Sequence, residues 1–402
     1  MLGYKSLYII APIALLWSTR IIHANTSNPP GNEKTVADIL VSRLRAAGLE
    51  IKIFEAAAGR PNVLAIWRGK SKGRTLLLNG HMDTVPPGPR ESWKFDPFSG
   101  KIINGQIYGR GSTDMKGALA AMVIAVETLK KDGWEPKGTL ALLFCSNEEM
   151  GDLEKIGMRF VAPKLTKELG KIDCMLIGDV TGLDIVVAEK GALWLEFTAH
   201  GKEAHGSMPW LGINAIEKLG QFLIELRKMP LPASHPMLGK STISINTFSG
   251  GYKTNVVPAL AKATVDIRLV PGEDKEKVKA AISNLIKIMQ ANDPDMNIEM
   301  KEVMYASSSE TDKDEPFVKQ LAETVKIVTG RQPEVKGEHG STGASIFKAQ
   351  GIPAVVCGPG KDSACHVSDE SIAIQDIVAA ADVYVQFAKR FLDQKRLLNF
   401  EY

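Results

Sequence analysis

Seven acidic and imidazole side chains lie just after apolar, strand-like segments of this sequence. They are His81, Asp83, Asp114, Glu148, Glu149, Asp179 and His366. In an open α/β sheet, ligands bind in the crevice beyond the carboxyl ends of the strands. Side chains of metal-ligand type that follow four separate strands are therefore expected to meet at one edge. The pattern predicts an α/β enzyme with a mainly parallel sheet.

The spacing of these residues indicates how they could share the chemistry. His81 and Asp83 point to the same face of an extended segment, where a carboxylate can hold the second ring nitrogen of a ligand histidine. Glu148 and Glu149 are adjacent, so one can bind metal while the other handles a proton. Each pair alone is more often an ordinary surface or core pair. Their joint placement favours a dinuclear site, in which the pKa of bound water falls towards about 7.

The composition excludes several other classes of protein. With 402 residues, 44% apolar and 24% charged, the chain is typical of a globular protein of two domains. A net charge of +3 and the lack of a long Lys/Arg run argue against nucleic acid or an anionic membrane as the main partner. We therefore expect neither nucleic acid nor membrane binding.

The four cysteines lack the C-x-x-C spacing of zinc knuckles and redox motifs. Cys145, Cys174 and Cys357 lie in or beside apolar segments, which is typical of reduced core thiols. Cys365 precedes His366 and has two interpretations, a core thiol or a metal ligand.

The N-terminal segment also has two interpretations. Lys5 and the apolar segment Leu7–Trp17 are similar to a signal peptide, which would export the protein. The segment is shorter than the about 20 residues that span a bilayer. The alternative is a first helix that packs on the catalytic domain. The cysteine usage favours a reducing compartment, so we expect a cytoplasmic protein that keeps this helix.

Periodicity divides the chain into two domains. Strand and helix patterns alternate up to about residue 190 and again from Pro316 to the C-terminus, which predicts one domain with a mainly parallel sheet. It includes helices at 33–47 and 115–131, the second with Asp114 as a plain N-cap or as a metal ligand that also caps. Residues 191–303 follow the order βαββαβ of a ferredoxin-like domain, inserted into the first domain.

Several motifs carry a resemblance to a known enzyme family. They are Gly80–Pro86, Trp93–Phe98, Tyr108–Gly117, Glu148–Gly151, Ala204–Ser207 and His366–Glu370. In these stretches the chain resembles the two-zinc metallopeptidase and deacylase family of acetylornithine deacetylase, succinyl-diaminopimelate desuccinylase, aminoacylase and carboxypeptidase G. The loop Thr26–Glu33 also resembles the family's N-terminal entry. The resemblance implies a zinc-peptidase-like catalytic domain, 1–190 with 304–402, and a dimerisation or lid domain, 191–303.

The resemblance also implies roles for the residues that match the motifs. Asp114 would bridge two divalent metal ions, expected to be Zn²⁺ with Co²⁺ or Mn²⁺ as alternatives. His81 and Asp179 would complete one metal site, and Glu149 and His366 the other. Glu148 would be the general base and acid, and Asp83 would orient His81. His205 would reach into the active site of the partner in a homodimer and donate a hydrogen bond to the oxyanion.

Further positions match the family's substrate contacts. The resemblance implies that Asn255 and Arg268 bind substrate, and a guanidinium suits a carboxylate because it binds bidentately. Without the resemblance, Arg268 is as well explained as a solvated strand residue. The loop Ser341-Thr342-Gly343 would hold a substrate carboxylate through backbone N–H groups. The chain departs from many relatives at Asp179, where they have Glu, and at Gly343, where they have Asp.

The predicted function is metal-dependent hydrolysis of an amide bond in an N-acyl amino acid or small peptide with a free carboxylate. The alternative is a catalytically silent relative that acts as a binding or interaction protein. A complete ligand set with Glu148 beside it argues against that alternative. A dinuclear phosphoesterase is disfavoured because its usual Asp-x-His and Gly-Asp-x-x-Asp motifs are missing.

Overall fold

The structure, a computed structural model, describes residues 19–393 and contains two compact units. The first unit comprises the chain up to Val187, Thr311–Lys336 and the chain from Thr342. The second comprises Ala188–Glu310 and Gly337–Ser341. The range 191–303, predicted for the inserted domain, lies inside the second unit.

The regular elements are numbered here in chain order. The helices are α1 (Lys34–Ala46), α2 (Gly117–Lys131), α3 (Met158–Leu169), α4 (Ala215–Lys228), α5 (Lys275–Asn292), α6 (Pro316–Thr329), α7 (Ala344–Lys348) and α8 (Ile374–Asp393). The strands up to the second unit are β1 (Glu50–Ala57), β2 (Arg60–Arg68), β3 (Ser71–His81), β4 (Lys101–Ile103), β5 (Gln106–Tyr108), β6 (Lys137–Cys145), β7 (Cys174–Ile177) and β8 (Ile185–Glu189). The remaining strands are β9 (Gly191–His200), β10 (Ala204–His205), β11 (Ser234–His235), β12 (Gly239–Lys240), β13 (Thr242–Gly250), β14 (Val256–Val257), β15 (Leu260–Leu269), β16 (Asn297–Ala306), β17 (Ser309–Glu310), β18 (Val335–Glu338), β19 (Ala354–Val356) and β20 (Ser371–Ala373).

The first unit is built on a mixed sheet in which the strands follow the order β1-β2-β6-β3-β7-β19-β8. The four central strands, β6, β3, β7 and β19, run parallel to their neighbours within this group. The pairs β1–β2, β2–β6 and β19–β8 are antiparallel. This sheet confirms the predicted α/β class with a parallel centre.

Helices cover both faces of the parallel strands. Leu77 and Leu143 pack against α3 and α7, in one buried cluster with Val161, Leu165 and Phe347. On the other face, α2 and α8 contact each other and β3. Strands covered on both faces read as continuous apolar segments, which is why β3, β6 and β7 are recognisable in the sequence.

The start of the first unit departs from the predicted alternation of strands and helices. No helix separates β1, β2 and β3 in the described chain, and β1 and β2 form an antiparallel hairpin. Exposed and half-buried side chains alternate along β1, which is typical of an edge strand with one face open to solvent. Such a strand needs no covering helix on that face. The prediction of strict alternation is wrong here.

The segment around Asp114 corrects another prediction. Ser112–Lys116 form a π-helical turn in which Asp114, with φ −115° and ψ 97°, is not helical. Helix α2 begins at Gly117 with Lys116 as its N-cap, so the predicted start at Met115 and the plain N-cap role of Asp114 are wrong. The apolar periodicity of α2 does not reveal that the backbone before it bends away from helical geometry.

The second unit contains a four-stranded antiparallel sheet of order β13-β15-β9-β16. Helix α4 follows β9 and α5 follows β15, so the chain order is βαββαβ. Phe197 and Phe222 are fully buried between sheet and helix, with ring centroids 4.9 Å apart. The ferredoxin-like fold of this region is therefore confirmed.

The apolar segment Leu7–Trp17, predicted to form a first helix, belongs to residues 1–18, which lie outside the described range. Residues 19–22 are helical, and Ile21 and Ile22 are buried in the first unit. Over residues 19–393, every helix is too short or too polar to cross a membrane.

Candidate active site

The predicted ligands of the first unit come from loops at the carboxyl ends of its parallel strands. His81 is the last residue of β3, Glu148 and Glu149 follow β6, Asp179 follows β7 and His366 follows β19. Because these four strands are parallel neighbours, their loops leave the sheet at the same edge. Asp114 is brought to this edge by the turn that precedes α2.

Asp114 is shared between two histidines. Its Oδ1 lies 3.1 Å from Nε2 of His81, and its Oδ2 lies 3.1 Å from Nε2 of His366. His81 is almost fully buried, whereas the His366 side chain is 53% exposed. Each carboxylate oxygen thus faces a different imidazole, which is the arrangement required of a carboxylate that bridges two cations.

Glu149 completes this cluster of potential ligands. Its Oε2 lies 3.2 Å from Nε2 of His366, and its Oε1 accepts a hydrogen bond from the N–H of Val85 at 3.1 Å. Ligand atoms of His81, Asp114 and Glu149 all lie within 4.8 Å of one another.

Asp179 lies outside this trio but acts on it through its charge. Its Oδ1 accepts the hydrogen bond of its neighbour Val180 at 2.8 Å. Burial, followed by the negative charge of Asp114, raises the pKa of Asp179 to about 7. This carboxyl group therefore belongs to the same electrostatic site.

Asp83 has more partners than the predicted one. Nδ1 of His81 lies 3.0 Å from the backbone oxygen of Asp83 and 3.5 Å from its Oδ1, so the backbone contributes to holding the ring. The Asp83 carboxylate also accepts hydrogen bonds from the backbone N–H groups of Glu148 and Glu149, at 3.1 and 3.2 Å. One buried acid thus holds both the histidine and the glutamate pair.

Negative charge accumulates at this site. Burial, together with the nearby carboxylates of Asp179 and Glu149, raises the pKa of Glu148 well above its ordinary value. Contacts with Asp114 and Glu149 raise the pKa of His366 to about 10. Burial alone would lower the pKa of the His81 imidazole. Its hydrogen bonds to Asp114 and Asp83 outweigh the effect of burial, so the pKa is raised.

The site suits divalent cations by its donors and by its charge. Imidazole nitrogens and carboxylate oxygens are the ligands that Zn²⁺ takes from protein. Several carboxylates crowd around one position, and a cation would offset their mutual repulsion. Cys365 is only half-buried and its Sγ lies 3.7 Å from the backbone oxygen of Lys361. The other three cysteines are fully buried free thiols, as predicted.

In the second unit, the predicted oxyanion donor His205 and the predicted substrate residue Asn255 are neighbours. Strand β10 pairs with β14, and the N–H of Gly206 donates to the backbone oxygen of Asn255 at 2.9 Å, which places His205 beside Asn255. His205 is exposed, and its Nδ1 accepts a hydrogen bond from the N–H of Ser207 at 3.2 Å. Because an N–H can only donate, the proton of the neutral ring resides on Nε2.

The other predicted substrate residues have mixed surroundings. Arg268 on β15 directs its Nε to the Asp266 carboxylate of the same strand, 3.0 Å from Oδ1. Ser341 belongs to the second unit, whereas Thr342 and Gly343 belong to the first. Gly343 has φ +80°, and a Cβ there would lie 2.3 Å from Sδ of Met158. Both the positive φ and the close contact favour glycine at this position.

Three buried polar residues support the site without having been predicted. Glu370 accepts hydrogen bonds from the N–H of Asp114 and from Nη1 of Arg110, at 3.1 and 2.6 Å. Lys116 is fully buried and donates from Nζ to the backbone oxygen of Ala24 at 2.7 Å. Glu370, Arg110 and Lys116 all lie inside the sequence motifs that carry the family resemblance. Their place in these motifs is the one sequence feature that could have indicated a supporting role.

A parallel-stranded α/β sheet with imidazoles and carboxylates gathered beyond its strand ends is the arrangement of a metal-dependent hydrolase. The chain belongs to peptidase family M20/M25/M40, whose family model matches residues 77–390. The predicted family is therefore confirmed. Membership also confirms the predicted activity at the level of the family, metal-dependent hydrolysis of amide bonds in acyl amino acids or peptides.

Individual relatives cover nearly the whole chain. A probable succinyl-diaminopimelate desuccinylase of Staphylococcus epidermidis is 29% identical over 403 residues, covering 93% of this chain and 96% of the relative. The structure of an M20 metallo-carboxypeptidase from Sulfolobus solfataricus matches with a TM-score of 0.80 at 24% identity, over 95% and 99% of the two chains. A dinuclear metal-binding M20 peptidase from Bacillus subtilis matches at 0.71 and 17%, over 96% and 99%. Both structural matches support the same fold.

Proposed function

We propose that this protein is a dinuclear zinc amidohydrolase that cleaves an N-acyl amino acid or small peptide next to a free carboxylate. The observation that carries the proposal is the sharing of Asp114, whose two oxygens each lie 3.1 Å from a different histidine. A carboxylate between two imidazoles, beside a second acid, suits a bridging ligand.

The proposed ligand sets are those that the family resemblance implies. Asp114 would bridge the two cations, His81 and Asp179 would complete one set, and Glu149 and His366 would complete the other. The contact of 3.2 Å between His366 and Glu149 supports the second set. When bound, two divalent cations supply Lewis acidity at the carbonyl and lower the pKa of water.

Glu148 is the proposed general base and acid. Its backbone is held by Asp83, and its half-buried side chain interacts electrostatically with His81, Asp179 and Glu149. The carboxylate would take a proton from the attacking water and then deliver it to the nitrogen of the leaving amine. Glu149, held by Val85 and His366, would remain a ligand.

The second unit is proposed to form a homodimer and to complete the partner's site. His205 would donate from Nε2 to the oxyanion that develops in the transition state. Its exposure and the acceptor role of its Nδ1 support this assignment. Asn255 and Arg268, with the loop 341–343, would bind the substrate and its carboxylate.

A substrate screen tests the proposed activity. Purified protein is stripped of metal, reloaded with Zn²⁺, Co²⁺ or Mn²⁺, and offered a panel of N-acyl amino acids and dipeptides. We expect amine release from some members of the panel only after reloading. Substrates whose carboxylate is amidated serve as the matched control and should be cleaved more slowly. Hydrolysis that persists with a chelator would contradict the mechanism.

Failure of every substrate would favour the alternative of a catalytically silent binding protein. Elemental analysis then decides whether the metal site itself exists. We expect about two zinc-type ions per chain.

A cytoplasmic location with a retained N-terminal segment is also proposed. The contact between Nζ of Lys116 and the backbone oxygen of Ala24 supports it, because a chain that began after Ala24 would leave a buried ammonium without that acceptor. Mass analysis of protein from its native host tests this. A mature chain that starts just after Ala24 would instead establish export.

A further inference from the structure

The loop that precedes α1 sends three buried polar side chains into the first unit. Thr26 donates from Oγ1 to the backbone oxygen of Met82 at 2.8 Å. Glu33 pairs with Arg60, with 2.8 Å between Nε and Oε2. Between them, Asn28 is only 3% exposed. Hydrogen bonds from Asn28 N–H to Thr84 oxygen and from Thr84 N–H to Thr26 oxygen fix the loop backbone.

The side-chain amide of Asn28 bridges two groups that control the glutamate pair. Nδ2 lies 2.8 Å from Oδ2 of Asp83 and 2.9 Å from Oδ1 of Asn147. An NH₂ group has two protons, so one amide can donate to both acceptors.

Asp83 holds the glutamate pair from one side. Its Oδ1 accepts the N–H of Glu148 and its Oδ2 accepts the N–H of Glu149. The Asp83 side chain is fully buried, and a buried carboxylate depends on its donors to stay in one position. Asn28 is the one side-chain amide among these donors.

Asn147 holds the pair from the other side. It directly precedes Glu148 and has φ +64°, a left-handed conformation that asparagine adopts more readily than most other non-glycine residues. Its side-chain oxygen accepts from Asn28, and its N–H donates to Oε1 of Glu33 at 3.2 Å. The loop before α1 therefore contacts Asn147 directly, at the start of the turn that carries the glutamate pair, and contacts both glutamates through Asp83.

We propose that Asn28 is a positioning residue for the Glu148–Glu149 pair. It acts through Asp83 and Asn147 and touches neither the substrate nor the ligand cluster. The inference deepens the proposed function, since it explains how the general base is held, and it rests on that function for its catalytic consequence.

The chemistry of the amide explains why this position suits asparagine. A serine or threonine hydroxyl has one proton and could serve only one of the two acceptors. An aspartate would place a second carboxylate against Asp83 and offer no donor when ionised. Asn28→Ala removes both hydrogen bonds, and Asn28→Ser keeps at most one.

The experiment compares metal-loaded wild type, Asn28→Ala, Asn28→Ser and the matched control Asn32→Ala. Asn32 lies in the same loop, but its side chain is exposed. Hydrogen–deuterium exchange is followed in peptides that cover residues 146–151, together with bound metal, kcat and KM. We expect faster exchange there in Asn28→Ala, and a kcat about 10–100-fold lower with a nearly unchanged KM. Asn28→Ser should lie between Asn28→Ala and wild type, and Asn32→Ala should match wild type.

The exchange readout separates this inference from the proposed function. If wild type hydrolyses nothing but Asn28→Ala still exchanges faster at 146–151, the inference stands and the proposed function fails. If kcat falls while exchange at 146–151 matches wild type, Asn28 acts elsewhere and the inference is overturned. Should Asn28→Ala not fold, Asn28→Ser provides the same comparison.

Discussion

Glu370 holds the N–H of Asp114 through the same oxygen that accepts the N–H of Thr113, at 3.1 and 2.8 Å. Its second oxygen lies 2.6 Å from Nη1 of Arg110, and both members of this ion pair are buried. The loop that carries His366 thus also fixes the backbone of the carboxylate that His366 contacts. Two proposed ligands are therefore tied together by an acid outside the proposed ligand sets.

Glu370→Gln should strongly destabilise the first unit, because it leaves the buried Arg110 guanidinium without its counter-charge. Removing one partner of a buried ion pair typically costs about 3–5 kcal/mol of unfolding free energy. The measurement is chemical denaturation with a chelator present, so that metal binding does not contribute.

The matched control is Asp314→Asn, which breaks the exposed pair of Asp314 and Lys319. Exposed pairs contribute little, so this variant should behave like wild type. Equal effects of the two substitutions would mean that the buried pair has no special role.

Glu148→Ala and Asp114→Ala should fail in different ways. Glu148→Ala is expected to keep both metals and lose at least about 10²–10⁴-fold in kcat, because proton transfer contributes that much. Asp114→Ala should lose metal, since both histidines lose the carboxylate between them. Elemental analysis and steady-state kinetics on the same samples separate these outcomes. Near-normal turnover of Glu148→Ala would refute its role as base.

Subunit mixing tests whether His205 acts across a dimer. His205→Ala and Glu148→Ala are each expected to be inactive alone. After subunit exchange, a heterodimer contains one site with an intact Glu148 and an intact partner His205. Random exchange then allows at most about a quarter of wild-type activity. If exchange is demonstrated and no activity returns, His205 works within its own chain or has no catalytic role.

Asp382, on α8 and outside the proposed site, predicts that the free energy of unfolding depends on pH. Burial raises the pKa of this carboxyl group above its ordinary 3.8, with Gln386 and Lys389 opposing the shift. The folded state therefore binds the proton more tightly than the unfolded state. Its contribution to stability is present at low pH and is lost as the pH rises through the raised pKa.

Asp382→Asn removes this titration and keeps an acceptor for Gln386, which lies 3.4 Å away. The melting temperature of the variant relative to wild type should rise over the pH range that begins near 3.8, the ordinary pKa of the carboxyl group, and ends at its raised pKa in the folded protein. A difference that stays constant over this range would show that the pKa of Asp382 is not raised on folding.

The sequence was sufficient to predict the parallel centre of the sheet and the side chains that gather beyond it, because both leave local signals. Strands buried on both faces are continuous apolar segments, and His81, Glu149 and Asp179 directly follow them. The sequence did not predict the edge hairpin β1–β2, because the residue pattern of a strand does not indicate which other strand it pairs with.

The supporting residues could not be assigned in the same way. The bend at Asp114 depends on Glu370, and the position of Glu148 depends on Asn28, each far away in the chain. Which polar residues meet is decided only when the sheet brings their loops together. Gly343 is a similar case, since its left-handed backbone against Met158 is invisible in the sequence.

The strand order β3-β7-β19 also has a consequence for the growing chain. β7 leaves the ribosome long before its neighbour β19, because residues 178–353 are synthesised between them. At typical translation rates this takes about 10–35 s. During that time the outer edge of β7 exposes unpaired backbone groups, which is a template for association with other chains. Nascent chains of this topology are therefore vulnerable at that edge until the C-terminal segment emerges.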